Sequence, residues 1–127
     1  MPTLAEDRDA IRDLLSRYIA TVDSNPLIAE EWAGFYAEDG KFLQEGKDPI
    51  VGREALTAFA ETLPSGGMRH IITDHIIDVD GNTATCEATV TVWVKGQWAA
   101  IGRASDVMHR TADGWRIAQR SYVPDFQ

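Results

Sequence analysis

The sequence predicts an α+β fold in which three N-terminal helices pack on a strongly curved, mostly antiparallel sheet. Apolar residues recur at helical intervals up to about residue 63 and at every second position after Met68. Three turn dipeptides, Asp80-Gly81, Lys95-Gly96 and Asp113-Gly114, join four consecutive strands into a meander. Strands of ~10 to 13 residues are long and therefore curl. We expect a cone-shaped barrel whose mouth holds a small molecule, as one domain over residues 1–127.

The first helix has both a start signal and an apolar face. Thr3 and Glu6 form a capping-box pattern, and the helix is expected to end near Asp23. Residues three and four apart lie on one side of a helix, which here becomes the face that covers the sheet. This stripe consists of Ile11, Leu14, Leu15, Tyr18, Ile19 and Val22.

Two further helices are expected before the meander. Asn25-Pro26 is a start signal, with Asn as the cap and Pro at the first helical position, and Asp39-Gly40 ends this second helix. A short strand is expected at 41–45, followed by a loop. The third helix is expected over about 52–63, because Pro64 stops it.

The strand that opens the meander, residues 68–79, does not alternate cleanly. His70 shares one parity with Ile72, whereas His75 lies on the other. We therefore expect the two histidines to face opposite sides of the sheet, which argues against a metal site built from them. A bulge would explain the mixed pattern, and so would an outer face covered by a second subunit.

Composition favours a cytoplasmic protein without nucleic-acid or membrane partners. The formal charge of −8 comes from 20 acidic and 12 basic residues, and an acidic surface repels polyanions. Cys86 is the single cysteine, so neither an intrachain disulfide nor a cysteine metal cluster is expected. The N-terminus is polar and charged, unlike a signal peptide, and no apolar run approaches the ~20 residues that span a bilayer.

Asp23 and His70 are the residues whose positions raise a chemical question. A carboxylate at the C-terminal end of a helix is unfavourable by ~0.3 to 1 kcal/mol, because that end of the dipole is negative. Spacing alone favours Asp23 as a turn residue beside Ser24 and Asn25. His70 is expected to face the apolar interior, where a lone histidine is usually a hydrogen-bonded core residue. If a carboxylate meets it, the imidazole becomes a candidate general base near neutral pH.

Four stretches spread over nearly the whole chain form a recognisable pattern. The first is residues 11–18 followed by Asp23-Ser24, and the second is Phe35-Tyr36-Ala37-Glu38-Asp39-Gly40. The third is Gly52-Arg53-Glu54-Ala55-Leu56, and the fourth runs from Arg69-His70 to Ala84, with 102–106 and 114–117 behind it. In this order and spacing they resemble the SnoaL-like group of the nuclear transport factor two-like superfamily. Within it, the chain looks like the branch related to scytalone dehydratase and hexachlorocyclohexane dehydrochlorinase.

The resemblance implies a cofactor-independent lyase of the dehydratase type. In such relatives an Asp at the end of the first helix pairs with a His at the start of the long strand. That His removes a proton from a substrate carbon, and a leaving group departs from the neighbouring carbon. Asp23 and His70 occupy these two positions and are the implied catalytic pair. We expect the substrate pocket to be lined by Tyr18, Trp32, Ile72, Val90 and Met108.

The resemblance leaves three functions open: a dehydratase, an isomerase or polyketide cyclase in the same pocket, and a non-catalytic small-ligand-binding or assembly domain. Two departures bear on this choice, since Asn25-Pro26 and Ala104 stand where many relatives have Asp-Trp and Tyr. The relatives are often dimers or trimers, so a homo-oligomer is expected. Its candidate contact surfaces are the threonine-rich face with Trp93 and the mixed face with Ile71, Ile77 and Val79.

Overall fold

The computed structural model describes residues 1–126 and has the predicted α+β architecture. The helices in this part of the chain are α1 (Leu4–Val22), α2 (Ala29–Gly34) and α3 (Arg53–Glu61). The strands are β1 (Tyr36–Gln44), β2 (Ile50–Val51), β3 (Met68–Asp80), β4 (Thr83–Val94), β5 (Gln97–Thr111) and β6 (Gly114–Pro124). No helix within residues 1–126 is both long enough and apolar enough to cross a membrane.

The six strands form one curved sheet in the order β2-β1-β6-β5-β4-β3. Only β1 and β6 run parallel, and the four strands of the meander pair antiparallel with their neighbours in sequence, as predicted. The core lies between the helices and the concave face of the sheet. Its fully buried side chains include Ile11, Leu15, Leu56, Met108 and Ile117.

Helix α1 matches its prediction at both ends. The Thr3 hydroxyl accepts a hydrogen bond from the Glu6 backbone N–H, and the Glu6 carboxylate accepts one from the Thr3 backbone N–H. Asp23 is the C-terminal cap. Asp7 fixes the first turns to the sheet, since its carboxylate accepts two hydrogen bonds from Arg110 at 2.9 Å. This anchor and the apolar stripe set where the far end of α1, which carries Asp23, meets β3.

The second helix is much shorter than predicted. It starts at Ala29, not at Asn25-Pro26, and it ends at Gly34, so Tyr36 already belongs to β1. The Asn25 side chain accepts a hydrogen bond from Ser65 Oγ instead of capping a helix. Residues from Tyr36 onward join the sheet because they pair with β6, a long-range contact that helical spacing does not reveal.

The prediction that His70 and His75 face opposite sides of the sheet is wrong. The register between β3 and β4 shifts between Thr73 and Ile76, and Asp74 adopts a positive φ of 57°. Such a bulge adds one residue to the strand and reverses the parity beyond it. Both histidines consequently lie on the partly buried, interior side of the sheet.

The same bulge corrects one of the predicted contact surfaces. Ile77 is 5% exposed and belongs to the core, and Val79 packs against that core, so neither faces outward. The large apolar side chains that β3 does expose are Ile71 and Ile76. Trp93 remains on the outer face of the sheet, where it is 36% exposed.

Candidate active site

The end of α1 and the start of β3 bring Asp23 and His70 into direct contact. Asp23 Oδ1 lies 2.6 Å from His70 Nδ1, and Asp23 Oδ2 accepts the His70 backbone N–H at 2.8 Å. Their side chains are only 7% and 17% exposed, respectively. The Asp23 carboxylate therefore contacts His70 with both oxygens.

This contact assigns the protons on the imidazole ring. An ionised carboxylate only accepts hydrogen bonds, so the neutral ring carries its proton on Nδ1 and donates it to Asp23. Nε2 then keeps its lone pair, which is the form of histidine that accepts a proton from a substrate. The contact that the resemblance implies is therefore present in the structure.

His70 lies in the wall of a cavity of about 210 Å³ between the helices and the concave face of the sheet. Of the predicted pocket residues, Tyr18, Trp32 and Val90 line this cavity. Most of the remaining wall is apolar, which lowers the local dielectric constant around His70. The apolar members that sequence reasoning did not name are Ile19, Val22, Phe42, Phe59, Leu63, Pro64, Met68 and Val92.

Ile72 and Met108 were predicted to line the pocket and do not. Ile72 pairs with the cavity-lining Val90 and is partly buried. From β3, the edge strand that carries Ile72, the residues that line the cavity are Met68 and His70. Met108 pairs with Ala84, eight positions along β4 from Val92, which is the partner of His70. Eight strand residues span about 27 Å, so Met108 fills the opposite, closed end of the core.

An aromatic cluster forms one wall of the cavity. Trp32 packs against Phe42 and Phe59 with ring centroids 6.2 and 5.9 Å apart, and Phe42 and Phe59 are 5.5 Å apart. These offsets are typical of favourable edge-to-face and tilted aromatic pairs. Phe59 could be predicted to face inward from its place on the apolar side of α3, whereas Phe42 depends on the unpredicted pairing of β1 with β6.

Three polar residues in the wall, Gln44, Arg120 and Tyr122, were also missed. Arg120 Nη1 donates to both oxygens of Asp106 at 2.8 and 3.0 Å, and both side chains are almost fully buried. Burial raises the pKa of the Asp106 carboxyl, and the charge and hydrogen bond of Arg120 oppose that rise. The sequence did contain a signal for this buried pair. Asp106 is a charged residue at an interior position of β5, between the apolar residues Ala104 and Met108.

Next to this pair, two tyrosine hydroxyls meet inside the core. Tyr18 Oη and Tyr36 Oη are 2.7 Å apart, and the guanidinium carbon of Arg120 lies 5.0 Å from the centroid of the Tyr18 ring. Burial raises the pKa of both phenols, that of Tyr18 to about 12. Both tyrosines are therefore protonated at neutral pH, and Tyr18 also lines the cavity.

His75, although it faces inward, does not join a metal site. Burial, and then the nearby charges of Arg12 and Arg120, lower its pKa, so the neutral ring is favoured. Among residues 1–126 no group of three or more His, Cys, Asp or Glu side chains converges as metal ligands would. Because His70 and His75 face the same side of the sheet, their orientation alone does not exclude a metal.

The fold and this cavity define the chain as a SnoaL-like protein. Residues 3–121 match the model of the SnoaL-like domain family, and the chain belongs to that family. No curated protein matches the sequence at a significant level.

Solved structures agree with this assignment. An NTF2-like protein with a cystatin-like fold from Novosphingobium aromaticivorans is 29% identical, with a TM-score of 0.80 over 98% of this chain and 86% of that one. A Catenulispora acidiphila protein in complex with S-DNPA is 27% identical, with a TM-score of 0.73 over 91% of this chain and 92% of that one. A second N. aromaticivorans protein, provisionally assigned as a scytalone dehydratase, shares 20% identity and a TM-score of 0.81 over 94% and 84% of the two chains. At that identity the likeness shows the common fold.

Proposed function

We propose that this protein is a cofactor-independent lyase of the dehydratase type that acts on a small hydrophobic or cyclic molecule. The observation that carries the proposal is the 2.6 Å contact between Asp23 and His70 in the wall of an apolar cavity. Membership of the SnoaL-like family and the ligand-bound neighbour support a small-molecule enzyme of this fold.

In the proposed reaction His70 is the general base and Asp23 orients it. Nε2 takes a proton from a substrate carbon, the electrons of the broken C–H bond form a double bond, and a hydroxyl leaves from the neighbouring carbon. The imidazolium then returns its proton to the departing hydroxyl, so water is released. Asp23 stabilises the transient imidazolium through Nδ1, and a positioned base of this kind contributes ~10² to 10⁴-fold in rate.

The cavity has room for a small substrate. An apolar cavity of about 150 Å³ holds a benzene molecule, so the 210 Å³ here suits a molecule with one ring or a short chain. The aromatic cluster of Trp32, Phe42 and Phe59 would pack against such a ring. An isomerase that returns the proton to another carbon of a small substrate would use the same pair.

We also propose that the chain forms a homo-oligomer through the outer face of the sheet. The exposed apolar side chains there include Ile71, Ile76, Trp93 and Trp98. Large exposed apolar groups gathered on one face are typical of interaction surfaces. Sedimentation equilibrium would measure the assembly directly, and a monomer at micromolar concentration would contradict this part of the proposal.

The test of the lyase proposal is a panel of one-ring β-hydroxy ketones, with formation of the conjugated enone followed by ultraviolet absorbance. The wild-type protein should dehydrate at least one member, and His70→Ala should lower that turnover by ~10² to 10⁴-fold. The circular dichroism spectrum should not change, because His70 lies in the cavity wall and its truncation opens space toward the cavity. Full activity of His70→Ala would rule out this mechanism.

A further inference from the structure

The segment of residues 62–67, which we call the rim segment, borders the cavity where it meets solvent. It connects α3 to β3, and its residues Leu63 and Pro64 line the cavity. Among the cavity-lining residues of the described chain, Pro64 alone is exposed, whereas Trp32 and Val90 are buried. The cavity therefore comes closest to solvent at the rim segment.

One hydroxyl group fastens the middle of the rim segment to the chain that follows α1. Ser65 Oγ accepts a hydrogen bond from the Leu27 backbone N–H at 2.8 Å and donates one to Asn25 Oδ1 at 3.2 Å. Both bonds lie at the surface, and the net contribution of one such bond changes an equilibrium by about 2- to 10-fold. These two bonds can therefore break and form again without any unfolding of the core.

The two ends of the rim segment are fixed differently from its middle. At one end the Thr62 backbone N–H donates to the Phe59 carbonyl oxygen in the last turn of α3. At the other end the Gly67 carbonyl oxygen accepts the Lys95 backbone N–H at 2.7 Å. Gly66 and Gly67 both have a positive φ, of 82° and 79°, a region that glycine enters without strain. The segment thus has two backbone anchors, with flexible residues beside the second.

The rim segment can open without separating the proposed catalytic pair. The chain that follows α1 meets the chain before β3 at Ser65, and again where Asp23 contacts His70. The second contact has hydrogen bonds of its own, at 2.6 and 2.8 Å, and its side chains are largely buried. Movement of Ser65 therefore leaves Asp23 and His70 in place.

We propose that the rim segment is a gate to the cavity, and that Ser65 holds it closed. A small apolar molecule enters and leaves when the two hydrogen bonds of Ser65 break. Segments that cover binding sites are drawn from the least stable parts of a fold, and their closure excludes water from the bound molecule. This inference goes beyond the proposed lyase function, because it requires only that a small molecule occupies the cavity.

The exchange rate of an apolar probe tests the gate without a known substrate. Fluorobenzene is close in size to benzene, which a cavity of about 150 Å³ holds, and ¹⁹F exchange spectroscopy gives its association and dissociation rates. Ser65→Ala removes both hydrogen bonds and should raise each rate about 3- to 10-fold. The dissociation constant should stay within about twofold, because the closed gate is destabilised equally with and without the probe.

Two glycine variants form a matched pair. Gly66→Ala and Gly67→Ala each place a Cβ at a positive φ, so both variants strain the backbone. The Cβ at position 66 would lie 3.1 Å from the Asn25 side chain, whereas that at position 67 would lie 3.7 Å from Lys95 Cγ, an ordinary contact. Gly66→Ala should therefore push the rim segment away from Asn25, and both of its rates should exceed those of Gly67→Ala by about 3- to 10-fold.

Two controls separate the gate from a general loss of stability. Ser16→Ala changes an exposed serine on α1 and should keep the wild-type exchange rates. In Ser65→Ala the ¹⁵N signals of the His70 ring should stay as in the wild type, because the contact with Asp23 does not involve Ser65. An inactive protein whose exchange rates respond to Ser65→Ala would contradict the lyase proposal and support the gate.

Several results would overturn the gate. Unchanged exchange rates in Ser65→Ala would do so, and so would a faster dissociation with an unchanged association rate, which indicates a lost contact with the probe. A wild-type protein that takes up no fluorobenzene from a saturated solution would also overturn it. If Ser65→Ala does not fold, the glycine pair decides, and equal rates in Gly66→Ala and Gly67→Ala would contradict the proposal.

Discussion

Replacing Asp23 by Asn tests the proton assignment on which the proposed chemistry depends. The carboxylate uses one oxygen for the His70 ring and the other for the His70 backbone N–H, at 2.6 and 2.8 Å. An Asn side chain has only one oxygen. That oxygen accepts the His70 backbone N–H, because an N–H group can only donate. The amide NH₂ then faces Nδ1 and forces the ring to accept there, so the proton moves to Nε2 and the base is lost.

The expected magnitude follows from that change of tautomer. The same substitution in serine protease triads lowers kcat ~10⁴-fold by imposing the wrong tautomer, and a general base is worth ~10² to 10⁴-fold. We therefore expect Asp23→Asn to lower turnover by ~10² to 10⁴-fold. ¹⁵N NMR of the labelled histidine ring measures the tautomer directly, without a known substrate: Nδ1 should be protonated in the wild type and Nε2 in the variant.

The matched control is Asp13→Asn on the exposed side of the same helix. Asp13 pairs with Arg17 at 2.7 Å, but both side chains are mostly in solvent, so its loss should leave the His70 ring and turnover unchanged. An Asp23→Asn protein whose His70 keeps its proton on Nδ1 would refute the reasoning. Full activity of that variant would refute the proposed role of Asp23.

Three further predictions concern stability. Asp106→Asn leaves the buried charge of Arg120 without its partner and should lower the free energy of unfolding by ~3 to 5 kcal/mol in urea titrations, whereas a loss under ~1 kcal/mol would contradict the structure. Burial and two nearby arginines lower the pKa of His75 below 6.5, so the unfolded chain binds a proton first and stability should fall as the pH drops below about 6.5. Below pH 6.5 the urea midpoint of His75→Phe should fall less with pH than that of the wild type. Equal pH dependence of the two midpoints would contradict a lowered pKa of His75. Gly102→Ala places a Cβ against the Val123 carbonyl oxygen and should lower the free energy of unfolding by ~1 to 3 kcal/mol, seen as a lower Tm; an unchanged Tm would show that β6 can move away.

Local signals were sufficient wherever a residue interacts with its near neighbours in the sequence. The Thr3–Glu6 capping box predicted the start of α1, and the glycine turns at Gly81, Gly96 and Gly114 predicted the meander, since all three adopt a positive φ. The predicted extent of the second helix was wrong because it depends on a contact with residues distant in the sequence. Residues from Tyr36 onward have helix-compatible spacing, but parallel pairing with distant β6 stabilises them as a strand.

The residues of the candidate site also differ in whether the sequence could predict them. Asp23 and His70 could be named because the resemblance supplied a partner 47 residues away, whereas spacing alone favoured a turn. Arg120 was missed because β6 has a bulge between Ile117 and Gln119, opposite Val107 and Met108 of β5. The bulge changes which residues of β6 face inward. A one-residue bulge costs little and leaves no clear mark in the sequence, yet it reassigns every side chain beyond it.

The β3 bulge explains how one edge strand serves two purposes. Before it, His70 lies in the cavity wall and is held by Asp23 at the end of α1; after it, Ile77 enters the core beneath the same helix. An unbroken strand that kept His70 inward would turn Ile77 outward and His75 with it, because alternate residues face opposite sides. Asp74, at a φ of 57°, makes this change of parity. The strand thus combines the proposed catalytic base, His70, with an apolar anchor for α1, and the position of Asp23 depends on that anchor.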